Sequence, residues 1–149
     1  MSPEFALAAA LETVPALLDK VSSLQPPKSA APPFAFYIPA ADSEDECLDG
    51  PSGLQSFAAA LHLVAASHRA LQLISAQAKQ AVLDMRGKTY RTPSEDEAAG
   101  LKGAVLVEYT KMDQSSPDLY EAEVGLYRRI YNVRLDYQTE NVTEEGISG

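Results

Sequence analysis

Leu54 to Arg86 reads LQSFAAALHLVAASHRALQLISAQAKQAVLDMR, and the fold class turns on how that stretch is read. Leu54, Phe57, Leu61, Val64, His68, Leu71, Ser75, Ala78, Val82 and Met85 follow one another at alternating spacings of three and four. That is the heptad stripe of a helix that packs along one seam. Ser52 suits its cap, Gly87 its stop, and Lys79 and Arg86 its negative end. A helix of this length would run on the order of 50 Å at about 1.5 Å per residue. Its charged side chains are few, so the pattern predicts the central, multiply contacted element of a bundle, or one buried by another chain.

Working outward, Leu7, Leu11, Val14, Leu18 and Val21 repeat the same spacing and predict a first helix over 3–24, interrupted at Pro15. Residues 25–53 carry Pro26, Pro27, Pro32, Pro33, Pro39 and Pro51, which exclude a regular helix or a central strand. This arm includes Phe34-Ala35-Phe36-Tyr37-Ile38, apolar enough to lie against the domain or a partner, and then Asp42 to Asp49, with five acids in eight residues. Thr92-Pro93-Ser94-Glu95 is a helix start, continued by the apolar pattern to about Met112. Ser116-Pro117-Asp118 opens another, with Tyr120, Val124, Tyr127, Tyr131 and Leu135 on one face of a helix over 117–138.

The expected architecture is therefore all-α, a bundle of three to four helices with one long central helix. The alternative is α+β, with a small two-stranded element from 104–110 and 131–137, since Tyr131, Val133, Leu135 and Tyr137 alternate with polar residues as in a half-buried strand. The organisation expected is vector-derived residues 1–5, an N-terminal helix 6–24, the Pro-rich and acidic arm 25–53, a helical core 54–138 and an acidic flexible tail 139–149, the whole being a segment of a larger protein.

With 149 residues, 21 acids against 12 bases and a formal charge of −9, the chain is the size of one domain and its surface repels phosphate backbones and anionic membranes. No apolar run is long enough to span a bilayer, and the N-terminus lacks the basic region and apolar core of a secretory signal. An intracellular location, cytoplasmic or nuclear, is expected. The lone Cys47 excludes an internal disulfide and a thiolate cluster, and His62 and His68 are spaced six apart on different helix faces. No metal or cofactor is expected. The carboxylate runs stand in solvated stretches where nothing raises a pKa for acid catalysis, and no nucleophile with an ordered base can be named.

The function expected is a non-catalytic interaction, scaffold or adaptor module that binds a protein partner or itself through helical surfaces. The candidate contact residues are Leu61, Val64, His68, Leu71, Tyr120, Tyr127, Tyr131, Phe34 and Phe36. Ser43 and Ser94 each begin the tetrapeptide Ser-Glu-Asp-Glu and are candidate phosphorylation sites, because a serine followed by acids suits an acid-directed kinase. An alternative rests on His68 alone: a histidine midway along a bundle helix resembles the acceptor of histidine phosphotransfer domains, although the residues flanking it here do not match those families.

Overall fold

A computed structural model describes residues 3–28, 31–40, 46–49, 54–91 and 103–140. The described residues do not form a helical bundle, and no coiled coil occurs among them. They form a curled, mainly β half-barrel with two α-helices among them. The first predicted helix is cut short: α1 covers Glu4–Leu11, a 3-10 turn covers Pro15–Leu17, and β1 covers Val21–Ser23. Pro15 cannot continue an α-helix, and Asp19 and Leu24 take positive φ values of 61° and 73° on either side of β1.

The Pro-rich arm contributes a strand, β2, over Phe34–Pro39, with Pro33 just before it and Pro39 as its last residue. It lies inside the sheet, paired in parallel to β1 on one side and antiparallel on the other to β4, Leu54–Ala65. The prolines thus bound a strand rather than exclude one, because they fall outside its hydrogen-bonded centre. The short β3, Glu46–Asp49, also pairs with β4.

The predicted long helix divides at Ala66-Ser67. Its first half is β4 and only its second half is helical, as α2 over His68–Leu83, with the Ser67 hydroxyl accepting the amide of Ala70 at 3.1 Å. The alanine-rich stretch satisfied two periods at once. Phe57, Ala59, Leu61, Leu63 and Ala65 are buried at spacing two, and small intervening alanines let the same letters also fit spacing three and four.

After β5, Thr89–Arg91, come β6, Ala104–Gln114, the short β7, Leu119–Glu121, and β8, Leu126–Glu140. The predicted helices to Met112 and over 117–138 are therefore strands. The start placed at Thr92 to Glu95, Ser43 and Ser94, the residues 1–2 and the tail from 141 lie outside the described residues. The pairing of 104–110 with 131–137 does occur, with Val107 opposite Tyr137, but within an eight-stranded sheet of order β1-β2-β4-β8-β6-β5, where β3 and β7 flank β4 and β8.

Both helices pack on one face of the sheet. Leu7 and Leu11 of α1 and Leu71, Ala78 and Val82 of α2 meet Leu61, Leu63, Val105, Val133, Leu135 and Tyr137 in a continuous core. Thr110, buried in β6, donates its hydroxyl to the Val82 carbonyl at 2.7 Å, a second donor beside the Met85 amide where α2 ends. On the outer face Phe34, Phe36 and Val64 form a second, small cluster against Leu126. The end of β4, the start of α2, the end of β6 and the start of β8 meet at one end of the sheet, since Ala65 pairs with Tyr127 and Gln114 with Tyr131.

Candidate interaction site

At that end β7 and the first residues of β8 form a hairpin. Its loop closes through the amides of Val124 and Gly125, which both donate to the Glu121 carbonyl, at 3.2 and 2.8 Å. Gly125 sits at φ 67°, the left-handed conformation that such a turn requires and that a side chain resists. Because side chains alternate along a strand, the neighbours Arg128 and Arg129 point to opposite faces, and each meets an acid from the β7 side of the hairpin.

On the helix-bearing face, Arg129 donates from Nε and Nη2 to the two oxygens of Asp118, both at 2.7 Å. Gln114 Nε2 donates to the same carboxylate at 3.1 Å, and His68 Nε2 lies 2.9 Å from it, so the ring carries a proton on Nε2 and donates. The Arg129 bond, with a smaller share from His68, holds the Asp118 carboxyl down at about 2 against the opposing effect of burial. Around this core stand rings: Tyr127 and His68 with centroids 6.0 Å apart, Tyr120 and Tyr127 at 4.7 Å, and the Tyr131 hydroxyl 3.4 Å from Arg129 Nη1.

On the outer face, Arg128 offers Nη2 alone to both oxygens of Glu121, at 3.0 and 3.1 Å, and its buried Nε has no partner. Its guanidinium lies 5.8 Å from the Phe36 ring, and Phe36 stacks on His62 with centroids 4.6 Å apart and an interplanar angle of 14°. Burial lowers the His62 pKa, and the charge of Arg128 lowers it further.

Four of the residues singled out in the sequence therefore come together: His68, Tyr120, Tyr127 and Tyr131. They do so on strands and at the first turn of α2, not along helix faces. Tyr120 is 57% exposed, whereas Tyr131 is buried beneath the site. Phe34, Phe36 and Val64 form the outer cluster and are themselves buried, and Leu61 and Leu71 are fully buried in the main core. Sequence reasoning missed Asp118 and Arg129, the pair on which the site is built. In Ser116-Pro117-Asp118 the letters read as a capped helix start with Asp118 in its first turn, and only the strand reading would have set Arg128 and Arg129 on opposite faces.

Comparison with protein-family models and with curated proteins gives no match. The chemistry of the site is thus read from its geometry. Among the described residues no group of three or more His, Cys, Asp or Glu side chains is placed to hold a metal ion, and no helix is long and apolar enough to cross a membrane. A histidine–carboxylate contact such as His68–Asp118 is the kind that orients a base. Here Asp118 is committed to Arg129, and among the described residues no hydrogen bond joins a hydroxyl or thiol to the His68 ring. The arrangement positions rings and fixes a hairpin.

Proposed function

We propose that this protein is a non-catalytic protein-binding module, acting in an intracellular setting, whose contact surface is the hairpin end carrying Tyr120, Tyr127 and His68. The observation that carries the reading is a set of touching rings, partly open to solvent, held by a fork-shaped guanidinium–carboxylate pair. Tyrosine offers a large contact area at low entropic cost, and rings fixed before binding lose little freedom on association. Val124, at the hairpin turn and 62% exposed, extends the apolar surface. A formal charge of −9 favours a protein over a nucleic acid as the partner. The phosphotransfer alternative has no observation in its favour, because His68 begins α2 and its Nε2 is engaged by Asp118.

A photo-crosslinking residue at position 120, compared with the same residue at Lys79 on the exposed side of α2, tests the proposal in the protein's native cell. A discrete adduct from position 120, absent from position 79 and lost when Tyr127→Ser is added, is expected. Equal adducts from both positions, or none from position 120, would overturn it.

A further inference from the structure

A groove of about 250 Å³ opens where the two helices end. Its apolar lining comes from Val14 and Pro15, where the chain leaves α1, and from Ala81 of α2. Its polar lining is Gln77 and Gln80 of α2 with Asp84, the residue that caps that helix. A helix ends on its negative pole, which a lysine or arginine in the last turn ordinarily offsets. Neither α1 nor α2 has a basic residue in its last turn, and each instead has an acid at its C-cap, Glu12 and Asp84. Burial raises the Glu12 pKa, and the charge of Asp19 raises it further. Asp84 accepts a hydrogen bond from Gln80 Nε2 at 2.8 Å, and among the described residues no cation pairs with it. The next cation along the chain, Arg86, is turned to the Thr110 carbonyl, at 3.2 and 2.6 Å, and to the Tyr109 ring.

We propose that this groove receives a lysine or arginine side chain of a protein partner, with its methylene stem along Val14, Pro15 and Ala81 and its charged head at Asp84. The chemistry of the lining selects that occupant. An anion would meet the negative poles of two helices and the Asp84 carboxylate. A wholly apolar side chain would cover that carboxylate and the two amides without giving them a partner. A cation on an aliphatic stem suits both halves of the lining. Because Gln80 faces Asp84 with its Nε2, its amide oxygen is left to accept from the incoming head. The groove lies towards the opposite end of α2 from His68, so this contact stands or falls independently of the hairpin rings.

The test is an amide-resolved NMR titration of the full chain with N-acetyl-arginine methylamide and N-acetyl-lysine methylamide, against the uncharged N-acetyl-norleucine methylamide. Asp84→Asn removes the charge and keeps an acceptor for Gln80, while Gln77→Lys sets a competing cation in the groove. Asp113→Asn makes the same change of net charge on β6, away from the groove, at a side chain 61% exposed. A melting curve confirms that each variant folds. The expected result is saturable shifts of the Val14, Gln77, Ala81 and Asp84 amides with both basic probes, at an affinity at least about threefold above that of the norleucine probe. Asp84→Asn and Gln77→Lys should each weaken binding at least about threefold, and Asp113→Asn should leave it unchanged. Absence of shifts at those amides overturns the proposal. So does equal affinity for the norleucine probe, binding indifferent to Asp84→Asn and Gln77→Lys, or an equal loss in Asp113→Asn.

Discussion

Arg128 and Arg129 are chain neighbours with the same chemistry, yet the two faces of the hairpin use them differently. Arg129 meets Asp118 through two nitrogens and two oxygens, with side chains 15% and 22% exposed. Arg128 meets Glu121 through one nitrogen, with side chains 26% and 41% exposed, and otherwise lies over Phe36 and beside His62. The first pair is an electrostatic anchor that shapes its surroundings. The second is an apolar lid with a charged end, in the manner of long cationic side chains that cover ring surface while keeping their heads in water.

The largest expected difference comes from removing each acid. Asp118→Ala leaves the Arg129 guanidinium partly buried without its partner and frees His68 and Gln114, so it should cost about 2–3 kcal/mol in urea unfolding. Glu121→Ala leaves Arg128 able to reach water and should cost about 0.5 kcal/mol. Equal losses for the two variants would erase the distinction drawn here.

Acid separates the faces next. The Asp118 carboxyl is held at about 2, below the 3.8 of an unperturbed aspartate, so its contribution is complete above pH 3.8 and drains away as the pH falls towards 2. Unfolding followed between those limits should lose stability in the natural chain and show a shallower loss in Asp118→Asn. An unchanged slope in that variant would place the acid-sensitive group elsewhere.

The smallest effect belongs to the outer face. His62 is depressed below 6.5, so the unfolded chain takes up a proton there before the folded one does, and stability declines as pH falls below 6.5. Replacing His62 with Phe keeps a ring against Phe36 and removes the titrating group. The variant should therefore be flatter than the natural chain between neutral pH and pH 5, with no change in the Asp118 limb. A decline as steep as that of the natural protein would mean that His62 does not carry it.

These contrasts also show what a linear reading could reach. The strand alternation of Tyr131 to Tyr137 and the capacity of 104–110 to pair with it were visible in the letters. So were the helical second half of Leu54 to Arg86 and the stop at Gly87, whose φ is 80°. The first half was not, because Phe57-Ala58-Ala59-Ala60-Leu61 offers apolar residues to either period. His68, Tyr120, Tyr127 and Tyr131 stood out by residue type, while Asp118 looked like an ordinary first-turn acid of a helix.

By itself the sequence determined the acidic balance, the single cysteine, the punctuation by proline and glycine, and the polar-apolar alternation that admits a strand after Ile130. Only the tertiary structure decided between strand and helix for Leu54 to Ala65. That segment buries alternate residues under α1 and α2 while β2 and β8 take its backbone hydrogen bonds, and both conditions depend on neighbours distant in the chain. The same long-range pairing brings His68, at the head of α2, to Asp118, fifty positions later, and so creates the site. Local spacing carries no information about which distant strand supplies the missing partners, and here those partners outweighed the helical pattern.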